Sequence, residues 1–426
     1  MGIAGRLRRY AKRLVPRPVL LKLYRDGANA CIAALQPDYD PRRKTILILN
    51  HFFSQDIKAL ELANPGFNLV VAESEELFRS ARLFFSPAVV NLMAAYADEN
   101  PASVALYREE CRRVLRRLEA RFRIDAILTA SDIFYWIREF IAVARERGIK
   151  TIVLDKEGTI SPHDFEFESA RIRRFAPYMS DHILVWSEGQ RAFWEKVGVP
   201  GAQITVTGQP RSDLFFRSGG DELAGLFRRE APLVTFFSYL DIAYIPVPIA
   251  DGEGLTWARM KRDTHDEILR CATTYPDYNF VIKTHPQQED LAALQRAYTR
   301  DNLVVVGGSS LGNALIIRSD LLIGFQTTAL IEAMFLGKPV VYTAWDPNVP
   351  RLLDHLLPFH MAEGVLIART LEEFRGLCDD FCQQRRDAFQ LTAEQKAARD
   401  AFVNRFLHQP DGKASERLFN ALQRVL

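Results

Sequence analysis

Long hydrophobic runs are missing from this sequence. No stretch of about 18 or more apolar residues occurs, which excludes a helix that crosses a lipid bilayer. Cysteine is also sparse: the five cysteines are scattered and odd in number, which fits a reducing compartment better than a disulfide framework. Only Cys378 and Cys382 are close together. Without a neighbouring histidine or a second cysteine pair, we interpret them as ordinary helix residues and not as metal ligands.

Neither sign of charge is in large excess, with 55 basic and 53 acidic residues and a net charge of +2. This balance argues against a protein that binds nucleic acid through a broad basic face. Residues 1–25 differ, because basic and apolar side chains alternate there before the first acid, Asp26. Such a segment can lie on the anionic inner leaflet of a membrane, or it can be a solvated basic helix. Its apolar stretch is too short for a signal peptide, so we expect a cytoplasmic protein that is peripheral on the inner membrane if the segment binds lipid.

Length and hydrophobic patterning predict two α/β domains. A chain of 426 residues exceeds the size at which one hydrophobic core stops growing, and 48% hydrophobic residues can fill two cores. Short runs rich in valine and isoleucine alternate with helical patterns, which is typical of parallel sheets with crossover helices. The predicted strands are 45–49, 68–72, 126–129, 151–154, 183–186 and 204–207 in the first half, and 233–238, 280–283, 303–306, 321–324, 340–343 and 365–368 in the second.

The weakest stretch between the two sets of strands contains Gly219 and Gly220 and ends at Pro232. Glycine, proline and charge cluster there, so we place the domain boundary near residue 225. The predicted organisation is a basic segment (1–44), a first domain (45–225), a second domain (226–391) and terminal helices (392–426).

A histidine follows a predicted strand of the second domain in Lys283-Thr284-His285-Pro286. Proline cannot donate to a sheet and disfavours helix in the residue before it, so the imidazole projects from the carboxyl end of the strand. Open α/β sheets bind their ligands at that edge. A loop histidine bonded to a neighbouring carbonyl is the other interpretation.

A second loop, Gln326-Thr327-Thr328, joins a predicted strand to a helix. A hydroxyl at a helix start caps free backbone N–H groups, and those donors together with the helix dipole also favour a bound phosphate. Glu332 lies one turn further on the same face, where its carboxylate can accept from ribose hydroxyls. Capping alone also explains the threonines, and a solvated position also explains Glu332.

The first domain has polar loops at the same kind of edge. Asp155-Lys156-Glu157-Gly158-Thr159 follows a predicted strand, and a carboxylate beside a glycine can approach a ligand closely and act as a general base. A solvated tight turn is the alternative. His51 follows the first strand and is a candidate cleft residue, against a packed loop histidine. Arg211 can neutralise a phosphate across the cleft, or it can pair with Asp213 within its turn.

Four motifs in this order resemble a known family. They are Trp186-Ser187, the segment from Val206-Thr207-Gly208-Gln209 to Asp213, Lys283-Thr284-His285-Pro286, and the segment from Ser319-Asp320 through Thr327-Thr328 to Gly337-Lys338-Pro339. Together they are similar to the GT-B transferases of bacterial surface carbohydrates. The named relatives are the CDP-glycerol glycerophosphotransferases and the capsule or lipopolysaccharide Kdo and sialic acid transferases. The resemblance covers roughly residues 150 to 420 and implies two Rossmann-like domains that face a cleft, with C-terminal helices crossing back.

The resemblance also implies roles for single residues. In such families a His-Pro pair and two hydroxyl residues hold the donor phosphates, and a helix glutamate binds the ribose. The implied donor-binding residues are His285 and Pro286 with Lys283 and Thr284, Gln326, Thr327, Thr328, Glu332 and Arg211. A base from the first domain falls on Glu157. The glycerophosphotransferase motif there resembles His-Gly-Thr, whereas this sequence has Glu157-Gly158-Thr159, like the acid before glycine of sialyltransferases.

That difference favours sugar transfer, so we expect a metal-independent, inverting glycosyltransferase. It would use a nucleotide-sugar donor linked through CMP or UDP, a glycolipid or polysaccharide acceptor of capsule or lipopolysaccharide synthesis, and no cofactor. No metal is expected, because no Asp-X-Asp motif lies at a predicted strand end. Glu157 would deprotonate the acceptor, and His285 would stabilise the departing phosphate. A CDP-glycerol-type glycerophosphotransferase, a nucleotide-sugar 2-epimerase and a non-catalytic scaffold remain open alternatives.

Overall fold

The structure is a computed structural model and describes residues 39–426, except for 51–52, 86–100, 157–159, 218–221, 228, 243–253, 287–289, 309–310, 386 and 410. The basic segment 1–25, which we predict to contact a membrane, lies outside the described residues. Among the helices that are described, none combines the length and the apolar character needed to cross a bilayer.

The first domain is built on a six-stranded parallel sheet with the strand order β2-β1-β3-β4-β5-β6. The strands are β1 (Thr45–Asn50), β2 (Asn68–Glu73), β3 (Ala126–Thr129), β4 (Lys150–Leu154), β5 (His182–Val185) and β6 (Ile204–Val206). The helices that connect them are α1 (Ser54–Ala63), α2 (Ser74–Ala81), α3 (Pro101–Glu119), α4 (Tyr135–Glu146), α5 (Phe165–Phe175) and α6 (Glu188–Val197). A 3₁₀ segment, Pro210–Phe216, then leads toward the second domain.

The second domain repeats this plan with the order β12-β11-β10-β7-β8-β9, again with every neighbouring pair parallel. The strands are β7 (Leu233–Phe237), β8 (Asn279–Lys283), β9 (Leu303–Val306), β10 (Leu321–Gly324), β11 (Val340–Thr343) and β12 (Val365–Ala368). The helices are α7 (Ala258–Thr274), α8 (Leu291–Tyr298), α9 (Gly312–Arg318), α10 (Thr328–Phe335), α11 (Val349–Leu352) and α12 (Leu371–Cys382). Read in chain order within the domain, the strands run 3-2-1-4-5-6, the order of dinucleotide-binding domains.

Two C-terminal helices, α13 (Ala393–Leu407) and α14 (Ala414–Val425), pack on different domains. Val403 and Phe406 of α13 join the core of the second domain. Leu418 and Leu422 of α14 join a core that contains Ile46 of β1. The chain therefore returns to the first domain at its end, which confirms the predicted crossing back of the C-terminal helices.

The strands form where they do because both faces of each sheet are covered. In β1, Ile46 and Leu47 point to opposite faces and enter different cores, and neither is exposed to solvent. A strand buried on both faces needs a nearly continuous apolar sequence. All twelve predicted strands are confirmed to within one residue at each end, and so are the two Rossmann-like domains. The exact domain limits remain predictions.

Candidate active site

The ligand-binding edge of each sheet follows from its strand order. Ligands of such sheets bind at the carboxyl ends of the strands, where the strand order reverses. In the second sheet this point lies between β7 and β10, so the loop 325–327 after β10 borders it. In the first sheet it lies between β1 and β3, and His51 is the residue that follows β1 in sequence. His51 itself is outside the described residues.

Helix α10 begins directly at this edge. Thr327 is its N-cap residue, and its hydroxyl accepts a hydrogen bond of 3.3 Å from the N–H of Ala329. The turn from β10 is tight, because a Cβ atom on Gly324 would lie 3.0 Å from Cγ2 of Thr327. Thr327 and Thr328 are both half-buried. Thr327 therefore caps the helix, and a phosphate contact of the two threonines stays a prediction.

Gln326 does not offer its side chain to the cleft. The residue is 1% exposed, its Nε2 donates to the hydroxyl of Tyr342 at 2.6 Å, and its Oε1 accepts from the N–H of Leu357 at 2.7 Å. Its backbone lies in the left-handed region with φ of 50°. The donor-binding role expected for this side chain is thus corrected: the amide ties the β10 loop to β11 and to the segment near residue 357.

Lys283 and Thr284 also face the protein and not the open edge. Lys283 is buried, and its amine donates to the carbonyl of Thr284 at 2.9 Å and to that of Gly308. Burial lowers the pKa of Lys283 to about 8. The hydroxyl of Thr284 donates to the carbonyl of Val306 at 3.2 Å. Backbone carbonyls already engage both groups. The structure therefore does not support direct contacts between these two side chains and a nucleotide-linked donor molecule.

His285 lies half-buried immediately after them, at the carboxyl end of β8, and Pro286 is exposed. Burial lowers the pKa of His285, and the positive charges of Lys283 and Lys156 act in the same direction. Lys156 follows β4 of the first domain, so a charge from the first domain acts on this histidine of the second. A neutral imidazole beside two amines is suited to an anionic ligand.

Arg211 connects the two domains at the centre of the site. Its Nε donates to Oε1 of Glu332 at 2.9 Å, and its Nη2 lies 3.4 Å from the hydroxyl of Thr328. Its backbone N–H donates to Asp56 at 3.1 Å, and its guanidinium lies 3.5 Å from the same carboxylate. The guanidinium carbon also stands 4.9 Å from the ring centre of Trp186.

The two acids around Arg211 are buried, Asp56 at 1% and Glu332 at 4% exposure. Burial raises the pKa of Asp56 and the charge of Glu332 adds to this, whereas Arg211 and Lys156 act against it. Burial alone would lower the pKa of Arg211, but Glu332 and Asp56 together raise it. Glu332 is thus not a solvated helix residue. It accepts from Arg211 through Oε1, and ribose binding stays a prediction.

Asp213 has a different partner from the one that its turn suggested. Its two carboxylate oxygens accept from the N–H groups of Ala414 at 3.0 Å and Ser415 at 2.7 Å, at the start of α14. Gly208, nearby, has φ of 83°, and a Cβ there would lie 3.0 Å from Arg417. The proposed Arg211–Asp213 pair is therefore wrong, because Asp213 anchors the returning C-terminal helix.

In the first domain, Asp155 is buried at the end of β4, and its Oδ2 accepts from the indole N–H of Trp194 at 2.6 Å. This carboxylate is oriented by the protein interior. Glu157, Gly158 and Thr159, which follow it, lie outside the described residues, so their place in the cleft stays a prediction.

Three residues of the site had no predicted role. Asp56 and Trp186 contact Arg211, and the charge of Lys156 acts on His285. Lys156 and Trp186 follow parallel strands, so the rule that picked Asp155 could have found them. Asp56 lies inside α1, where no local signal marks it. The site thus combines the N-terminal end of α10 with the side chains of Arg211, His285 and Lys156. This arrangement is suited to bind a nucleotide-linked phosphate.

The fold and this edge define a two-domain protein of the GT-B type. The family model for CDP-Glycerol:Poly(glycerophosphate) glycerophosphotransferase matches residues 148–424. The chain belongs to this family. It is also 25% identical over 266 residues to the teichoic acid poly(ribitol-phosphate) polymerase of Bacillus spizizenii (strain ATCC 23059 / NRRL B-14472 / W23), a match that covers 58% of this chain. The match covers only 39% of that relative.

Solved structures share the fold at low sequence identity. The wall teichoic acid polymerase TagF aligns over 100% of this chain and 98% of its own, with a TM-score of 0.55 and 11% identity. The UDP-GlcNAc 2-epimerase from Neisseria meningitidis, bound to UDP-GlcNAc, aligns over 89% of this chain and 100% of its own, with a TM-score of 0.54 and 13% identity. These likenesses show the fold alone.

The family match bears on the expected reaction class. The sequence favoured a sugar transferase because Glu157 stands where the related motif resembles His-Gly-Thr. The match instead favours the glycerophosphotransferase alternative, and the matched residues include this motif. One changed residue outside the described part of the chain is weaker evidence than a match across both domains.

Proposed function

We propose that this protein transfers an alditol phosphate, such as glycerol phosphate, from a cytidine diphosphate-linked donor to a hydroxyl group of a polymer acceptor. The observation that carries this proposal is the family match from residue 148 to residue 424, which includes both sides of the site. The name of the poly(ribitol-phosphate) polymerase supports an alditol phosphate as the transferred group and a phosphate-containing polymer as the acceptor.

In this reaction the acceptor oxygen attacks the phosphorus that carries the alditol. The bond from that phosphorus to the bridging oxygen breaks, and CMP leaves with the electron pair. Glu157 takes the proton of the acceptor hydroxyl, because it follows β4 in sequence and replaces the histidine of the related motif. General-base catalysis of this kind contributes about 10²–10⁴-fold to the rate.

The second domain holds the donor. Thr327, Thr328 and the start of α10 face the phosphates, and Arg211 and Lys156 supply positive charge to them. The lowered pKa of His285 keeps its imidazole neutral near pH 7, so one ring N–H can donate to the departing phosphate. Glu332 uses one oxygen for Arg211, and a carboxylate offers about four acceptor positions, so it can also accept from a ribose hydroxyl. No metal and no cofactor takes part in this scheme.

Donor binding tests the proposal directly. The full chain is heated with CDP-glycerol, CDP-ribitol, CDP, CMP, UDP, GDP and UDP-N-acetylglucosamine, each at the same concentration. A ligand at about 100 times its Kd stabilises a protein by about 2.7 kcal/mol. We expect the cytidine diphosphate compounds to raise the Tm and CMP to appear when a poly(alditol phosphate) acceptor is added. Stabilisation by UDP-N-acetylglucosamine alone contradicts the proposal, and its conversion to a new sugar without acceptor identifies an epimerase.

The base is tested with Glu157→Gln. We expect kcat to fall by about 10²–10⁴-fold while CDP-glycerol still raises the Tm, because the amide keeps the shape but cannot accept the proton. Glu363→Gln, an exposed acid in a turn, is the matched control and should keep full activity. Unchanged turnover of Glu157→Gln removes this residue from the mechanism.

Sugar transfer is the second candidate, and Glu157 in place of histidine is the observation that favours it. In that case the acceptor attacks the anomeric carbon of the sugar with inversion, and the nucleotide leaves with its phosphate. The acceptor would be a glycolipid or polysaccharide of capsule or lipopolysaccharide. CMP- and UDP-linked sugars in the same turnover assay distinguish the two reactions, because only sugar transfer consumes them.

We also propose that residues 1–25 bring the enzyme to the inner membrane leaflet, where a lipid-linked acceptor resides. Co-sedimentation with vesicles that contain anionic lipid tests this. Binding should be lost in high salt and in a chain whose basic residues 6–25 are replaced by glutamine. Equal binding to neutral and anionic vesicles contradicts the proposal.

A further inference from the structure

Two short 3₁₀ turns, one from each domain, meet in the structure. They are Pro162–Asp164, which follows the loop after β4, and Leu353–His355, which follows α11. The Nδ1 atom of His355 lies 2.7 Å from Oδ1 of Asp164, although 191 residues separate them in sequence. The ring of His163 meets the ring of His355 edge to face, with 4.7 Å between the ring centres.

The ligand atoms of His163, Asp164 and His355 all lie within 4.8 Å of one another. We propose that these three side chains bind one transition-metal ion of the zinc type, which joins the two domains. Two imidazoles and one carboxylate suit Zn²⁺, whereas Mg²⁺ and Ca²⁺ prefer oxygen ligands alone. The fourth position of a tetrahedral site is left for water.

The geometry needs only a small change to accept the ion. The 2.7 Å contact between His355 and Asp164 is that of a hydrogen bond. In a zinc site the metal replaces the shared proton, and bonds of about 2.0–2.1 Å at a tetrahedral angle separate the two ligand atoms by about 3.3 Å. His163 is exposed, so its ring can turn toward the ion without disturbing the core, while Asp164 is 8% exposed and held in place.

The backbone around the site is already tied across the junction. The hydroxyl of Ser161 accepts from the N–H of His163 at 3.3 Å, and it donates to the carbonyl of Asp354 in the second domain. The residues next to both histidines are therefore fixed before any ion binds, which lowers the entropic cost of forming the site. The ion would act as a structural tie between the domains. The inference does not depend on the proposed function.

Metal titration tests this inference. The untagged full chain is freed of metal with EDTA, desalted, and titrated with Zn²⁺ by calorimetry and with Co²⁺ by visible absorption. We expect one equivalent to bind, a rise in Tm with Zn²⁺, and the Co²⁺ spectrum of a nitrogen- and oxygen-liganded tetrahedral ion. His163→Ala, Asp164→Asn and His355→Gln should each weaken Zn²⁺ binding by at least about 10–100-fold, which is the loss caused by removing a residue that only supports a ligand. His408→Gln, a half-buried histidine at the end of α13, should bind Zn²⁺ like the unchanged chain.

The exposed position of His163 keeps the test decisive, because His163→Ala should fold normally and leave the Tm of the metal-free protein unchanged. Absence of one-equivalent binding, or binding that the three variants do not weaken, overturns the site. Hydrogen exchange then tests the bridge. Zn²⁺ should slow exchange in residues 161–165 and 353–356 together, and protection of only one segment overturns the role as a tie between domains.

Discussion

The Nε atom of Arg211 donates to Oε1 of Glu332 over 2.9 Å, although the two residues belong to different domains. The same guanidinium lies 3.5 Å from the carboxylate of Asp56 in the first domain. One cation therefore compensates two buried acids, one on each side of the cleft. The stability of the junction and the charge of the site depend on the same side chain.

Replacing Arg211 with methionine keeps a long side chain but removes its charge. Asp56 and Glu332 then lose the one cation that contacts both of them, so we expect the free energy of unfolding to fall by about 3–5 kcal/mol in urea at pH 7. Arg385→Met is the control, since its pair with Asp380 is exposed and should contribute about 0–1 kcal/mol. Similar losses in the two variants would contradict the conclusion that Arg211 compensates the charges of Asp56 and Glu332.

A second set of variants separates charge from packing. Adding Asp56→Asn and Glu332→Gln to Arg211→Met removes the two uncompensated charges. We expect the triple variant to be more stable than Arg211→Met alone, because neutral amides cost less to bury than carboxylates. A triple variant that is less stable than Arg211→Met contradicts this account, because the two carboxylates would then not be the source of the lost stability.

The strands could be predicted from sequence because their signal is local. A strand such as Leu321–Gly324 is covered on both faces, and its sequence is therefore a continuous apolar run. The partners of Arg211 and Asp213 carry no such signal. These two neighbours in sequence bond to Glu332 and Ala414, which are 121 and 201 residues distant from them respectively. The packing of whole domains decides those contacts.

Gln326 illustrates the same limit at the site itself. A polar residue at the carboxyl end of a strand is suited to bind a ligand, but it is equally suited to satisfy buried backbone. Here it accepts from the N–H of Leu357, 31 residues later, and the sequence contains no pattern that links the two. The position of the site could thus be predicted from strand ends, whereas the direction of each side chain could not.

The close approach of β10 and α10 depends on glycine. In Gly324→Ala the added Cβ would lie 3.0 Å from Thr327 and 3.3 Å from Leu330, so we expect a loss of about 1–3 kcal/mol in unfolding free energy. Gly376→Ala, in the exposed part of α12, meets nothing within 4 Å and should gain about 0.5–1 kcal/mol. Thermal and urea unfolding of both variants check this, and a stabilised Gly324→Ala contradicts it.

The return of the chain to the first domain depends on Asp213. Asp213→Ala removes both hydrogen bonds to the first turn of α14, and loss of an N-terminal cap costs about 0.5–2 kcal/mol. We expect faster hydrogen exchange and earlier proteolytic cleavage within Ala414–Val425 than in the unchanged protein. Asp400→Ala, an exposed acid on α13, is the control and should leave both measurements unchanged. Equal protection of α14 in the two variants argues against the anchor.

Acid sensitivity should arise in part from His265 on α7. The residue is 2% exposed, and its Nε2 lies 3.0 Å from the hydroxyl of Ser238, just after β7. Burial lowers the pKa of His265 to about 3, and the nearby charge of Lys261 adds to this. Below about pH 6.5 the unfolded chain therefore takes up a proton at this histidine while the folded protein does not. Unfolding is then favoured as the pH falls, and the lost stability accumulates from about pH 6.5 down to about pH 3.

His265→Gln removes this titration and keeps a group that can bond to Ser238. One proton changes the unfolding free energy by about 1.4 kcal/mol per pH unit, so the unchanged protein should lose about 2 kcal/mol more than the variant between pH 7 and pH 5. Urea unfolding of both chains at pH 7, 6 and 5 measures the difference, and contributions of other groups cancel in the comparison. Parallel losses in the two chains would mean that His265 becomes protonated in the folded state, with Ser238 and the surrounding core opening enough to hydrate it.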